Sequence, residues 1–169
     1  MSNVHAGSRV SEMPSGIADG VFRFLDAQSL DLAQILARVS IAIVFWRSFL
    51  TKVNSDAEGF VGKWLNWEIN PTVYFLFEHE YKVPILPHQF AAHMATYAEW
   101  LLPMLLVIGL GTRFAAIALL GMTAVIQFFV YPAHYPEHGL WATALVLLIL
   151  RGPGVISADH FIRKFMQLR

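Results

Sequence analysis

FAAHMATYAEWLLPMLLVIGL, residues 90–110, decides the fold. The stretch is apolar for about 20 residues, enough at ~1.5 Å per residue to cross a hydrocarbon core of roughly 30 Å. Glu99 stands near its middle. A carboxylate at the centre of a span costs on the order of 2.5–3.5 kcal/mol on insertion scales. It must therefore be paired, protonated or turned toward a polar cavity.

Three more apolar segments accompany it, at residues 30–50, 114–131 and 138–150. The expected spans are about 30–51, 90–110, 113–131 and 136–151, the last short, with thinned bilayer or an extra turn making up its length. Composition agrees. Of 169 residues, 56% are hydrophobic and 14% charged, against about 25% charged in a soluble domain, and the mean hydropathy is +0.52. The short links after the second and third segments force antiparallel neighbours. The expected fold is all-α, an integral membrane four-helix antiparallel bundle with an external amphipathic, aromatic loop.

Three regions follow: an N-terminal segment at 1–29, the membrane domain at 30–159 and an amphipathic tail at 160–169. The first is polar and lacks a signal peptide's apolar core, so it is expected to stay uncleaved in the cytoplasm. With it inside, Arg9, Arg23, Arg113, Arg151, Arg163, Lys164 and Arg169 fall on the cytoplasmic side, and Lys52, Lys63 and Lys82 on the other. The positive-inside rule then places both termini in the cytoplasm. Gly152 and Pro153 stop the fourth helix, and Ser157 suits the N-cap of the tail helix, expected on the membrane surface.

The long loop at 51–89 carries Phe60, Trp64 and Trp67 at i, i+4, i+7. That spacing predicts a helix with one aromatic face, either seated among headgroups or closing as a lid over the bundle mouth. The stretch from Tyr74 to Pro84 is too apolar for a loose loop and is expected to pack on the outer surface of the bundle.

Helical phase and depth nominate a partner for Glu99. Arg38 and Arg47 lie nine residues apart, on opposite faces at ~100° per residue, while Lys52 returns to within about 40° of Arg38. Arg47 sits near the outer end and can snorkel. Counted inward from the outer boundary, Glu99 lies ~14 Å deep, Arg38 ~18 Å and Arg47 ~5 Å. Arg38 is therefore the expected partner. The pair serves either as an ion pair fixing helix register or as a carboxylate that handles a proton or ligand. Gln127 also needs a polar partner, since an unpaired amide in hydrocarbon costs several kcal/mol. With Lys52, Tyr97, His138 and Trp141 it is expected to form a polar, aromatic cluster near the outer mouth, suited to a quinone or similar amphipathic ring.

Other chemistry is narrowed by composition. Cysteine is absent and the net charge is zero. Disulfides, thiolate metal sites and iron–sulfur clusters are excluded, and no basic patch calls for nucleic acid. One histidine pair is too little to place haem, and His93 beside Met94 too little for copper, so no metal site is assigned.

Several elements together are similar to the DoxX family: Arg38 with Phe45-Trp46-Arg47-Ser48-Phe49 and Lys52, then Tyr97-Ala98-Glu99. Gly109-Leu110-Gly111-Thr112-Arg113 and Gly152-Pro153-Gly154-Val155-Ile156-Ser157-Ala158-Asp159 complete the set. The likeness covers about residues 30–159. It implies a small four-span inner-membrane protein related to membrane subunits of thiosulfate:quinone oxidoreductase. The loop at 75–84 and the stretch MTAVIQFFVYP at 122–132 resemble members encoded beside peptide-modifying multinuclear iron oxidases. Arg38, Lys52, Glu99, Arg113 and Asp159 are the positions the resemblance carries over. Two functions remain open: a subunit of a quinone-linked oxidoreductase whose partner supplies electrons, or a non-enzymatic anchor, carrier or chaperone for a partner protein, metal or secreted peptide. Under either, the expected partners are the lipid bilayer and a partner protein or further copies of the chain as a homo-oligomer.

Overall fold

The computed structural model describes residues 15–56, 58–84 and 86–167, with side chains from Leu30 onward except that of Phe60. It is mostly helical. Helix α1 spans Ser15–Lys52, α4 His88–Ile108, α5 Thr112–Val125 and α6 Tyr135–Arg151. Between α1 and α4 lie strand β1 (Val53–Asn54), α2 (Gly59–Leu65), strand β2 (Glu68–Ile69) and α3 (Thr72–Leu76), the last continuing into a π-helical turn, Phe77–Tyr81. A second π-helical turn, Ile126–Val130, extends α5, and α7 (Ala158–Gln167) closes the described chain. The polar segment expected before residue 30 is helix from Ser15 and continuous with the first apolar stretch; residues 1–14 lie outside the described part.

The long helices pack in the cyclic order α1, α4, α5, α6. Their shared core joins Ile41 and Phe45 of α1 to Leu106 of α4, Ala116 and Leu119 of α5 and Leu145 of α6. Alanines on α1 and α5 let the helices approach closely, as suits packing where lipid competes equally for apolar surface. The outside is apolar too: Leu32, Ile43, Phe114, Phe128, Leu140 and Leu150 are all more than half exposed. Three helical stretches, Leu30–Lys52, His88–Ile108 and Thr112–Val130, are long and apolar enough to cross a membrane. α6, at 17 residues, is ~26 Å long.

At the end of the bundle away from α7, here the loop end, β1 and β2 pair antiparallel, Val53 opposite Ile69. Val73 and Phe77 then bury themselves against Ala91 and Ala92 in the first turn of α4. Tyr74, Tyr81 and Val83 of the Tyr74–Pro84 stretch pack against the same cluster. The aromatic helix differs in extent. α2 stops at Leu65, so Trp67 follows it; both indoles nevertheless meet Trp100, Trp64 at 5.3 Å and Trp67 at 5.9 Å.

At the opposite, tail end, four segments are tied together. α4 stops in a Schellman turn, with Leu110 N donating to Leu105 O (3.0 Å) and Gly109 N to Leu106 O (3.1 Å). Gly109 has φ +74, and a Cβ there would lie 2.5 Å from Ser157 Cβ and 2.9 Å from Arg38 Nη2, so only glycine fits. The last carbonyls of α4 go to Arg38: Nε donates to Leu106 O (2.7 Å) and Nη2 to Val107 O. Its Nη1 donates to Pro153 O (3.0 Å) and Ile156 O (2.6 Å) in the α6–α7 loop. Asp159 answers at the start of α5, its carboxylate accepting from Gly111 N (2.8 Å) and Thr112 N (3.0 Å), while its own N–H donates to Gly109 O (2.9 Å). Ser157 caps α7 as expected, its Oγ accepting from His160 N (3.2 Å).

This arrangement sets two expectations for thermal unfolding in detergent. Asp159→Ala removes a capping carboxylate and is expected to cost about 1–2 kcal/mol. Arg38→Lys is expected to destabilise nearly as much as Arg38→Ala, because one ammonium cannot span carbonyls on two segments. A melting temperature restored by lysine sinks that expectation.

Candidate functional site

Glu99 faces inward from the middle of α4 and is 2% exposed. Its partner is Lys52, not Arg38. The Lys52 ammonium lies 2.9 Å from Glu99 Oε2 and donates to Oε1 at 3.1 Å. Ser48, one turn before Lys52, donates its hydroxyl to Glu99 Oε1 (2.9 Å) and accepts from Lys52 Nζ (2.8 Å). Three polar side chains thus close a triangle in which each touches the other two.

The reason Arg38 loses this contact is side-chain direction. Helical side chains lean toward the helix N-terminus, by about a turn for a long one. On α1 that direction is toward the tail end. Lys52, rooted at the last residue of α1, reaches back to the level of Ser48 and meets Glu99. Arg38 reaches back past the bundle middle and meets the end of α4 instead. Counting depth from Cα to Cα hides both displacements. Arg47 is exposed.

The triangle is not sealed in packed protein. Ser48, Lys52 and Glu99 line a cavity of about 110 Å³, walled also by Phe77, Tyr81 and Tyr131. Ser48, Ile126 and Tyr131 also line a second cavity of about 300 Å³, whose far wall is His134, Glu137, His138 and Trp141. The two spaces adjoin at Ser48. Burial, then the hydrogen bond with Tyr131, hold the Tyr81 phenol above its ordinary pKa, so it remains a neutral hydroxyl. Tyr131 in turn donates to the exposed Glu80 (3.3 Å), linking the small cavity to the loop-end surface.

The expected outer cluster divides. His138 Nδ1 is 2.7 Å from Gln127 Oε1, and its ring lies 4.9 Å from Trp141, so these three do come together. Lys52 belongs to the neighbouring triangle. Tyr97 is excluded: it is half exposed and rests against Trp67 on the outside of the bundle, because one residue step on α4 rotates it ~100° from Ala98 and two from Glu99. Arg113 stands exposed in the first turn of α5 at the tail end, far from Gln127, and Asp159 serves the α5 cap. Ser48, Tyr81 and Tyr131 were not singled out from sequence. Ser48 alone carried a signal, the i, i+4 spacing to Lys52. No group of three or more His, Cys, Asp or Glu side chains with metal-binding geometry occurs among the described residues.

A family model, DoxX, matches residues 33–132. No curated protein and no solved structure matches the chain. The matched region contains the triangle and Gln127; the loop that binds Arg38 and carries Asp159 follows it.

A double-mutant cycle measures the triangle. Lys52→Met strands a buried carboxylate and is expected to cost about 3–5 kcal/mol. Lys52→Met with Glu99→Gln is expected to recover more than half of that, read by denaturant unfolding in detergent. Additive costs in the double variant rule out direct coupling of the pair.

Proposed function

We propose, from the premise that this chain belongs to the DoxX family, that it is a multi-pass bacterial inner-membrane protein that binds a quinone-type ring. The ring sits in the paired cavities at the loop end. One observation carries the reading: a buried Lys52–Ser48–Glu99 triangle borders a small cavity with aromatic walls, and its Ser48 also lines a larger space with aromatic and imidazole side chains. Wholly structural ion pairs are satisfied inside packed protein, whereas this one borders about 110 Å³ of cavity with a larger space next to it. The larger space is at the lower end of small-molecule sites, roughly 300–1,000 Å³, and has their mixture of apolar wall and few polar groups.

The chemistry required is modest. Reduction of a quinone consumes two electrons and two protons. The chain has no cysteine, so in this reading a partner redox protein supplies the electrons. Trp141 and Phe45, with ring centroids 5.9 Å apart, offer apolar faces to the ring. Lys52 and His138 can donate to its carbonyl oxygens, and Glu99 can relay to the ring protons taken up at the surface through Glu80, Tyr131 and the small cavity. Intramembrane carboxylates are characteristic of such proton routes. The membrane arrangement belongs to the same proposal: α1, α4, α5 with its π-helical turn, and α6 form four antiparallel spans. The loop end is outside, both termini are cytoplasmic and α7 lies on the inner surface. The carrier alternative draws on a different feature, the exposed Val61 and Leu65 of α2 beside the tryptophans, which could receive a peptide.

Binding decides between them. Purified protein titrated with decylubiquinone is expected to show quenching of Trp141 fluorescence, with Glu99→Gln and His138→Ala each weakening affinity about tenfold, ~1.4 kcal/mol. Loss of quenching in Trp141→Phe assigns the signal. Saturable binding that is absent in the wild type, or unchanged in both site variants, overturns the quinone reading. Orientation is read independently from reporter fusions at Arg169 and beside Lys63; a periplasmic signal from Arg169 reverses it.

A further inference from the structure

His138 is a wall of two spaces at once. On its inner side is the 300 Å³ cavity just described; on its other side a groove of about 460 Å³ runs along the outside of the bundle between α5 and α6. The groove exists because the facing side chains are short: Ala124 on α5, then Gly139, Ala142 and Thr143 on α6. Phe128, 72% exposed, forms one lip and Val146 continues the apolar floor away from the loop end. The surface is the lipid-facing one if α5 and α6 span the bilayer.

His138 lines both spaces, and Gln127, which it contacts, lines the groove. His138 is 5% exposed, and its Nδ1 meets Gln127 Oε1 at 2.7 Å. Its Nε2 makes no hydrogen bond among the described residues, so the ring is held through Nδ1 alone. Gln127 is held from its own side, Nε2 donating to Pro132 O at 2.8 Å. It lies in the π-helical turn Ile126–Val130, and such turns within longer helices are frequent at functional sites. The His138–Gln127 contact between α6 and the end of α5 thus stands where groove and cavity come together.

We propose that this groove is a lateral portal, through which a ring compound dissolved in the bilayer enters between α5 and α6 and passes His138 into the inner cavity. The occupant is the quinone-type ligand of the preceding subsection, and the inference rests on that reading. A competing entrance exists past His134 and Glu137 at the loop end. Its rim bears the Glu137 carboxylate, whereas the groove is lined mainly by apolar groups and has no carboxylate, lysine or arginine, matching a ligand that partitions into lipid.

Gly139 allows the two to be told apart. It lines the groove but not the inner cavity, and a Cβ there would meet nothing closer than Tyr135 Cε1 at 4.0 Å. Gly139→Leu therefore fills the portal without entering the site, and Thr143→Leu, at an exposed position, does so a turn farther along. With protein in vesicles and decylubiquinone delivered from the lipid phase, stopped-flow quenching is expected to show association and dissociation slowed at least fivefold in both variants. Equilibrium affinity should stay within twofold of wild type, since a portal alters rates and not the bound state. Unchanged rates in both variants mean entry by the loop-end rim and overturn the portal. So does a wild-type dimer that either variant converts to monomer in detergent, which makes the groove a helix–helix interface between copies. Weakened affinity with unchanged association places the ligand in the groove itself and also overturns it. Absence of any wild-type binding removes the quinone reading and the portal together.

Discussion

Arg38 donates to four main-chain carbonyls, two at the end of α4 and two in the loop that follows α6. In hydrocarbon, the last carbonyls of a helix have no water to fall back on, so each needs a donor supplied by protein. A guanidinium is suited to this because its donors are fixed in a plane and remain charged. The positive group also opposes the negative end of the α4 dipole. Asp159 does the reverse at the start of α5, two residues beyond Gly109. The α4–α5 turn is thereby held at both ends, and its tightness in turn fixes how α4 and α5 lie against α1 and α6.

With the tail end pinned, the loop end is free to diverge. α4 extends past the end of α1 there, and the α3 segment with its π-helical turn packs onto the projecting part through Val73 and Phe77. The second π-helical turn, at Ile126–Val130, lies opposite. Between these departures from regular packing are the two cavities, and Ser48, Lys52 and Glu99 stand where they join. At one end the polar groups are bound to main-chain carbonyls; at the other they border open volume. Arg38 and Lys52, two of the basic residues of α1, fourteen positions apart on nearly one helical face, divide those duties.

Much of this was legible from the residues. The apolar lengths predicted the helices, Gly152 and Pro153 the end of α6, Ser157 the α7 cap, and Gln127 with His138 and Trp141 a common polar, aromatic region. The buried carboxylate was legible because its cost demanded a partner. The identity of that partner was not, because two bases shared its face and depth was measured along backbones. Tyr97 was misplaced for a related reason: proximity to Glu99 in sequence puts it on the opposite side of the helix. Tyr81 and Tyr131 left no signal, as they reach the cavity only through how α3 and the end of α5 fold against each other.

What the sequence by itself determined, then, was local: lengths, caps, apolar faces and the need to neutralise Glu99. These follow from one-dimensional spacing and the energetic cost of polar groups in lipid. Only the tertiary structure decided which base meets the carboxylate and whether that pair is dry. Both depend on side-chain lean and on the relative offset of α1 and α4, which no single helix encodes. Glu99 pairs with Lys52 beside a cavity, while Arg38 is committed to the carbonyls at the far end.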